Sequence, residues 1–318
     1  MKRRILWFTS ILSSIMTAGA AIFGFVLTNR LMYLKKKEDA FILDREITAK
    51  RFNEAWFNIV RKTEKWIDSP NGYPIKAIFL EPLDTKNFVV ICHGVTENKI
   101  NSVKYARLFE RLGFNSVVYD HRRHGDSGGK TTSFGHYEKM DLQAVVKAVD
   151  VYAGEDAIIG IHGESMGAAT TILYAGTLED HAHFYISDCA FSDFTDQLMY
   201  LMKKETPLRS SLAIKLADVF LRVRDGYSMK LVSPREAVSR IEKPVLFIHS
   251  IPDDFILPEM TQELYDLKPE PKQIKFFETG PHAQSYNQNP EEYEKTVAEF
   301  LFSQNLLPAV LTNAQNKK

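Results

Sequence analysis

The chain contains the run Gly160-Ile161-His162-Gly163-Glu164-Ser165-Met166-Gly167-Ala168-Ala169, in which an apolar segment stops at a serine and a series of small residues begins. Gly163 and Gly167 flank Ser165 in the G-x-S-x-G spacing, which allows a strained turn between a strand and a helix and lifts the serine oxygen above a sheet edge. Because such a pentapeptide also occurs by chance, or as an ordinary glycine-rich turn, the surrounding sequence has to support this interpretation.

The sequence on both sides of Ser165 predicts a strand followed by a helix. Residues 156–161 form a short, nearly continuous apolar segment, which is typical of a parallel strand buried on both faces. Residues 168–178 then predict a helix. A serine hydroxyl is a poor nucleophile at neutral pH, so a catalytic role for Ser165 requires a base, a carboxylate that orients the base, and donors for an oxyanion.

The composition is that of a globular protein. The chain has 318 residues, 45% of them hydrophobic and 25% charged, which suits one large domain with an accessory segment. Lysine plus arginine and aspartate plus glutamate number 40 each, so no net field attracts nucleic acid and it is not expected as a partner. Cys92 and Cys189 lack metal-type spacing and are interpreted as buried thiols.

Residues 1–37 are predicted to form a membrane anchor with a basic flank. The run from Ile5 to Asn29 carries no charge and is long enough for a helix to cross a hydrocarbon core. A cleaved signal peptide is the alternative, because residues 18–20 offer an A-x-A site, but the apolar run continues to Leu27 and favours an uncleaved anchor. Basic residues on both sides leave the orientation open, with an extracytoplasmic catalytic domain favoured. The sequence thus predicts a single-pass membrane protein.

The rest of the chain divides into a stalk, a catalytic domain and a tail. Residues 38–64 predict a helical stalk, since apolar positions recur there at helical spacing without Pro or Gly. Residues 65–307 form the predicted catalytic domain, which opens with a hairpin turning at Pro70-Asn71-Gly72. Residues 308–318 are predicted to be a disordered tail.

Strands and helices alternate through the catalytic domain. This pattern predicts an α/β fold with a mainly parallel sheet covered by helices on both faces, in which ligands bind beyond the carboxyl ends of the strands. The predicted strands after the hairpin are residues 88–92, 115–119, 157–161, 183–187, 245–249 and 273–277. The predicted helices between them include residues 101–112, 137–152, 165–178, 259–267 and 290–304.

An insertion at about residues 190–243 interrupts this alternation and is predicted to be a small helical lid. It lies between two strands on the carboxyl-end side, where it would cover a pocket. Its apolar side chains predict a pocket lining, although they could equally pack the insertion on the domain. They are Phe191, Phe194, Leu198, Met199, Tyr200 and Met202.

A base and a carboxylate for Ser165 are found after the last two strands. His282 follows the final predicted strand, in Gly280-Pro281-His282-Ala283, and is the best candidate base. Asp253 and Asp254 follow the strand before it, which gives the order Ser, Asp, His that this type of sheet enzyme uses. The spacing leaves open which of the two aspartates orients the histidine.

Two backbone amides are candidates for the oxyanion hole. One is the N–H of Met166, directly after the serine, and the other is that of Val95, in the loop after an earlier strand. Val95 follows Cys92-His93-Gly94, where Gly94 could let the backbone turn the amide inward.

The loop after the strand at 115–119 offers a weaker hypothesis of metal binding. It contains Asp120, His121, His124 and Asp126, but Arg122 and Arg123 within it make a poor cation site. We therefore predict a structural turn there and no metal site.

These motifs together resemble those of the α/β-hydrolase superfamily, from about Tyr73 to Phe302. Cys92-His93-Gly94 resembles its oxyanion turn, Asp120 to Ser127 its D-x-R-x-x-G-x-S loop, and Gly163 to Gly167 its nucleophile elbow. The chain is most similar to membrane-anchored bacterial serine hydrolases of the serine aminopeptidase-like or acyl-ester hydrolase group. The resemblance implies an α/β-hydrolase fold with an eight-stranded, mainly parallel sheet and a small lid.

The chain departs from the family pattern where the acid is expected. The usual H-G-x-x-D-x-x-V-P reads His249-Ser250-Ile251-Pro252-Asp253-Asp254-Phe255-Ile256-Leu257-Pro258 here. Counting from His249 selects Asp253, and counting back from Pro258 selects Asp254. We choose Asp253.

The predicted function is that of a serine hydrolase. It would cleave the acyl bond of a carboxylic ester, and the ester would be a small molecule or a lipid. Ser165, His282 and Asp253 would form the triad and the amides of Val95 and Met166 the oxyanion hole, so no metal or organic cofactor is implied. Two alternatives stay open: a serine peptidase of the aminopeptidase-like type, and a catalytically silent, membrane-tethered binding scaffold. The oligomeric state is also open.

Overall fold

The structure is a computed structural model that describes residues 2–205 and 211–307, with the backbone alone for residues 2–6 and 8–17. Eight strands form one sheet in the order β1-β2-β4-β3-β5-β6-β7-β8. They are β1 (Lys62–Asp68), β2 (Pro74–Leu80), β3 (Phe88–Cys92), β4 (Asn115–Tyr119), β5 (Ile159–Glu164), β6 (Phe184–Asp188), β7 (Val245–Ser250) and β8 (Lys272–Phe277). Strand β2 pairs antiparallel with β1 and β4, and the other neighbours pair parallel. The predicted eight-stranded, mainly parallel sheet is confirmed.

Helices connect the strands and precede the sheet. Those of the N-terminal segment and the first crossovers are α1 (Lys2–Met32), α2 (Asp39–Thr48), α3 (Glu54–Ile59), α4 (Lys99–Arg111), α5 (Glu138–Ala153) and α6 (Met166–Thr177). Those that follow are α7 (Phe194–Glu205), α8 (Ser211–Asp225), α9 (Pro234–Val238), α10 (Pro258–Leu267), α11 (Ser285–Gln288) and α12 (Pro290–Ser303), with a short 3₁₀ helix at Met229–Leu231.

The sheet has a hydrophobic core on each face. On one face Phe109 of α4 and Phe300 of α12 belong to a buried cluster with the strands. On the other, Val146 of α5 and Ile172 of α6 belong to a second, larger cluster. Because both faces are covered, the central strands are buried at every position and form the continuous apolar runs seen in the sequence. Each such side chain stabilises the fold by about 1.5–3 kcal/mol relative to exposure.

The last turns of α1 pack against α8, which belongs to the predicted lid insertion. Arg224 of α8 donates hydrogen bonds to the carbonyl oxygen of Phe25 (3.1 Å) and to Oγ1 of Thr28 (2.6 Å). Among the residues that the structure describes, no helix is long and apolar enough to cross a membrane. The predicted span from Ile5 to Asn29 is therefore not supported, and most of its first half has side chains that lie outside the described residues.

The segments predicted as a stalk and as a lid both contain helices. Residues 38–64 hold α2, α3 and the start of β1, which begins at residue 62, and α2 packs against α4. Residues 190–243 hold α7, α8, the 3₁₀ helix and α9. The predicted tail, 308–318, lies outside the described residues.

Candidate active site

Ser165 sits in a sharp turn between β5 and α6. Its backbone has φ 58° and ψ −117°, a left-handed conformation that a non-glycine residue adopts only when its surroundings hold it there. A Cβ atom on Gly163 would lie 2.4 Å from the carbonyl oxygen of Gly167, and one on Gly167 would lie 2.2 Å from that of Cys92. The G-x-S-x-G spacing is therefore a steric requirement of this turn.

The structure brings Ser165, His282 and Asp253 into one hydrogen-bonded chain. Nε2 of His282 lies 2.8 Å from Oγ of Ser165, and Nδ1 of His282 lies 2.7 Å from Oδ2 of Asp253. Since an ionised carboxylate only accepts, Nδ1 carries the proton and Nε2 is free to accept the serine proton. This is the tautomer that a general base requires.

The carboxylate of Asp253 stays ionised although it is buried. Burial by itself would raise its pKa, but hydrogen bonds from His249 and His282 outweigh burial and hold the pKa well below its usual range. The N–H groups of Phe255 and Ile256 donate to its other oxygen, Oδ1, at 2.9 and 3.1 Å. The carboxylate of Asp253 is thus held in place by hydrogen-bond donors on both of its oxygens.

His249 is a site residue that the sequence analysis used only for counting. Its Nε2 lies 3.0 Å from Oδ2 of Asp253, and its Nδ1 lies 2.6 Å from Oγ1 of Thr261 on α10. Since Nε2 must donate to the carboxylate, Nδ1 accepts a hydrogen bond from the hydroxyl group of Thr261. These two hydrogen bonds fix the orientation of the ring. The place of His249 at the end of β7, four residues before Asp253, was the available signal.

Val95 and Met166, whose amides are the predicted oxyanion donors, both line the cavity at Ser165. Met166 is the first residue of α6, so its N–H has no acceptor within the helix. Within the described residues, the N–H of Val95 donates to no protein acceptor. Gly94 does not adopt a positive φ here; the left-handed residue of this turn is Thr96, with φ 68°.

Two buried histidines hold the turn at residues 94–97. Because this turn contains Val95, the predicted oxyanion donor, it is called the oxyanion turn from here on. His93 Nε2 accepts the N–H of His121 (3.0 Å), so its Nδ1 carries the proton and donates to the carbonyl oxygen of Gly94 (2.7 Å). His124 Nε2 accepts the N–H of Thr96 at 3.1 Å. Burial lowers the pKa of His93 to about 4 and that of His124 to about 3, which keeps both rings neutral.

These contacts also explain the loop that carried the weak metal hypothesis. His124 accepts a hydrogen bond from the N–H of Thr96, and the carboxylate of Asp120 accepts one from the ammonium group of Lys99 at 2.7 Å. The residues of this loop do not form a group of potential ligands in the described part of the chain; the group found there is Cys189, Asp253 and His282, whose ligand atoms lie within 4.8 Å of one another. Burial raises the pKa of the Cys189 thiol well above its usual value, so it stays protonated and is a poor ligand.

A cavity of about 790 Å³ opens at Ser165 and His282, a size typical of a small-molecule site. One part of its lining is apolar and comes from the predicted lid insertion, from α1 and its following residues, from the loop before α5 and from the loop after β7. These residues are Leu31, Leu34, Phe134, Phe191, Phe194, Leu198, Leu201 and Ile256. Of the six apolar residues singled out in the insertion, Phe191, Phe194 and Leu198 line the cavity, whereas Met199 and Met202 pack on the core and the Tyr200 hydroxyl donates to the Asp254 carbonyl.

The other part of the cavity wall is charged, and three of its carboxylates form ion pairs with basic side chains. Glu97 binds Lys37 and Arg45, Glu46 binds Arg45 and Arg51, and Glu164 lies 3.1 Å from Lys104. We call the part contributed by residues 37–51 the N-terminal wall. The sequence predicts that these residues belong to an anchor and a stalk, and no local pattern in it indicates that they reach the cavity.

Comparisons with known proteins agree with this architecture. Residues 84–220 match the family described as "Serine aminopeptidase, S33". The chain is 47% identical over 295 residues to the uncharacterised protein YqkD of Bacillus subtilis, covering 92% of this chain and 96% of that protein. Among solved structures, the Pyrococcus furiosus esterase Pf2001 is similar with a TM-score of 0.63 and 21% identity, over 79% of this chain and 96% of that one. The Exiguobacterium antarcticum esterase EaEST is similar with a TM-score of 0.54 and 17% identity, over 75% and 99%.

The parallel sheet, the serine turn at its carboxyl edge and these matches lead to one assignment. The identity to the two esterases is low, so they speak for the fold, while the family match covers the strand, turn and helix around Ser165. The chain belongs to the α/β-hydrolase superfamily.

Proposed function

We propose that this protein is a serine hydrolase that cleaves carboxylic esters through a covalent acyl-enzyme. The observation that carries the proposal is the hydrogen-bonded chain from Ser165 through His282 to Asp253, which ends in the cavity beside the amides of Val95 and Met166. The esterases among the similar structures support the same chemistry.

The reaction proceeds in two halves. As Oγ of Ser165 attacks the acyl carbon, its proton passes to Nε2 of His282, and the N–H groups of Val95 and Met166 stabilise the oxyanion. His282 then gives the proton to the departing alcohol. In the second half a water molecule loses a proton to His282 and attacks the acyl-enzyme, which releases the acid and restores Ser165.

The cavity lining supports an ester with an apolar acyl group, which includes simple lipids. Phe191, Phe194 and Leu198 of the lid insertion provide an apolar surface for the acyl chain. Of the carboxylates that line the cavity, Glu46, Glu97 and Glu164 are each paired with a lysine or arginine of the chain itself, whereas Glu205 is exposed at the cavity. The apolar lining beside Ser165 is therefore the feature that favours an ester over an aminoacyl amide.

Labelling by a fluorophosphonate probe tests the proposal. The full chain is the right sample, because Leu31, Leu34 and the N-terminal wall line the cavity. We expect the wild type to be labelled and the Ser165→Ala and His282→Ala variants to remain unlabelled. A folded wild-type protein that does not react would refute the serine hydrolase mechanism and favour a silent binding scaffold.

A substrate panel then distinguishes esters from amides. p-Nitrophenyl acetate, butyrate and octanoate are compared with aminoacyl p-nitroanilides. We expect kcat/KM for the best ester to exceed that for the best amide by at least ~100-fold. Turnover of the anilides with no preference for esters would support the peptidase alternative.

A further inference from the structure

The direction of the Val95 N–H is set by the carbonyl group of Gly94, because both belong to one planar trans peptide and point in opposite directions. The Gly94 oxygen accepts from Nδ1 of His93 at 2.7 Å and from the N–H of Glu97 at 3.3 Å. Whatever holds Glu97 in place therefore helps to aim the Val95 amide at the oxyanion.

The side chain of Glu97 is held by two cations of the N-terminal wall. Arg45 donates from both terminal nitrogens to the two carboxylate oxygens, at 3.0 and 2.7 Å, and Lys37 also binds Oε1. Burial would raise the pKa of Glu97, but the hydrogen bonds from Arg45 and Lys37 lower it to about 2. The carboxylate is thus ionised and paired at any pH at which the enzyme would work.

The backbone of the oxyanion turn is attached to the same segment. The N–H of Lys37 donates to the carbonyl oxygen of Thr96 at 3.1 Å. Thr96 has φ 68°, which is unfavourable for a β-branched residue and needs support from both sides. His124 holds its N–H and Lys37 holds its carbonyl, so the peptide groups around Val95 are fixed.

Each of the three guanidinium nitrogens of Arg45 binds a carboxylate of the protein. Nε donates to Glu46 at 2.8 Å, and the two terminal nitrogens donate to Glu97. A guanidinium group held in this way by two carboxylates is suited to holding a turn. The family match begins at residue 84, so the matched region does not itself supply this group.

From these contacts we infer that Arg45, with Lys37, is a positioning residue of the active site, which acts through Glu97 to aim the oxyanion-hole amide of Val95. The inference rests on the proposed function and adds to it that the catalytic machinery extends into the segment before the matched domain. Arg45 touches no reacting atom. Its loss should impair the stabilisation of the transition state and leave ground-state binding of a small ester nearly unchanged.

The test uses Arg45→Gln, Glu97→Gln and the double variant in the full chain, assayed with p-nitrophenyl acetate. Loss of an oxyanion donor costs about 100- to 1000-fold, so a misaligned donor should lower kcat by about 10- to 100-fold, with KM within about threefold. The double variant should lose less than the product of the two single losses, because both single changes remove the Arg45–Glu97 pair. Binding of a trifluoromethyl ketone, which forms a tetrahedral oxyanion on Ser165, should weaken by the same factor as kcat/KM.

Two further variants separate positioning from a general loss of structure. Arg45→Lys keeps a cation near Glu97 and should recover part of kcat relative to Arg45→Gln. Arg235→Gln is the matched control: it breaks ion pairs with Glu263 and Asp196, and none of these three residues lines the cavity. It should change Tm about as much as Arg45→Gln and leave kcat within about twofold.

The possible results are distinct. If Arg45→Gln and Glu97→Gln keep the wild-type kcat, or raise KM with kcat unchanged, the positioning role is refuted, and the second result would make the N-terminal wall a substrate-binding surface. Equal losses in Arg235→Gln would refute it as well. A wild-type protein that is neither labelled nor active would instead refute the proposed hydrolase function, which the labelling experiment detects independently.

Discussion

Asp253 and Asp254 are adjacent in sequence, yet their side chains lie in opposite environments. The side chain of Asp253 is 1% exposed and bonded to His282, whereas that of Asp254 is 79% exposed and paired with Lys204 at 2.7 Å. The turn after β7, closed by the Asp253 N–H on the Ser250 carbonyl, separates them. Of the two aspartates that sequence spacing left open, Asp253 is the one whose carboxylate lies within hydrogen-bond distance of His282, and it stays the predicted acid.

The two aspartates should therefore respond differently to the same substitution. We expect Asp253→Asn to lower kcat by about 10⁴-fold, because an amide donor facing Nδ1 would favour the wrong tautomer of His282. Asp254→Asn, the matched control, should stay within about twofold. Steady-state kinetics with an activated ester measures both, and a comparable loss in Asp254→Asn would contradict the assignment.

Replacing His249 should impair catalysis indirectly. His249→Leu removes one of the donors to Oδ2 of Asp253, so the carboxylate can rotate away from His282, and we expect kcat to fall about tenfold with little change in KM. Thr261→Val leaves the ring in place and removes only its outer hydrogen bond, so its effect should be smaller. An unchanged kcat in His249→Leu would show that His249 has no part in orienting Asp253.

The glycines around Ser165 should differ in how well they tolerate substitution by alanine. A Cβ on Gly167 would lie 2.2 Å from the Cys92 carbonyl oxygen, and backbone atoms there cannot yield, so Gly167→Ala should lower the free energy of unfolding by at least ~3 kcal/mol. In Gly94→Ala the nearest atom, Cβ of Ser165, is 3.5 Å away, so the loss should stay under ~1 kcal/mol. Urea unfolding of both variants measures these losses. A larger loss in Gly94→Ala than in Gly167→Ala would contradict the prediction.

Asp188 should make the stability of the protein depend on pH. Burial, reinforced by the nearby Glu164, raises the pKa of Asp188 to about 7. Its folded pKa therefore exceeds its unfolded value, and the stability that it contributes is fully present below the unfolded pKa and is lost as pH rises through about 7. Asp188→Asn should lack this dependence, because an amide does not ionise.

The measurement is the difference in Tm between Asp188→Asn and the wild type at about pH 5 and about pH 8.5. Comparing the two proteins at each pH cancels the other titrating groups. The difference should shift by a few degrees in favour of the variant at the higher pH. A constant difference would mean that Asp188 does not titrate in this range.

The sheet was predictable from the sequence because its central strands are apolar on both faces and most of them are separated by helices. The predicted strand at residues 88–92 coincides with β3, and that at 157–161 is shifted by about three residues at its end relative to β5. The shift arises because Gly163 and Glu164 still pair with β6 before the chain turns at Ser165. A polar or glycine residue at a strand end gives no hydrophobic signal for that pairing.

The candidate site was only partly predictable. Ser165, His282 and Asp253 each follow a strand at the same edge, so their order in the sequence was enough to place them together. The contact between Arg45 and Glu97 joins residues 52 positions apart, and neither residue belongs to a motif. Such contacts depend on how a docked segment folds back over the domain, which local patterns do not encode.

The docking of the N-terminal wall also implies an order of events during folding. Lys37 of this wall and Leu34 just before it are synthesised early, but their partners lie far along the chain. Glu97, the partner of Lys37, lies 60 positions later, and Arg123, the partner of Leu34, lies 89 positions later. The surface they dock on exists only after β3 and β4 have paired. The oxyanion turn should thus reach its working geometry late in folding, so that a partly folded chain has a sheet and a serine but no efficient catalytic site.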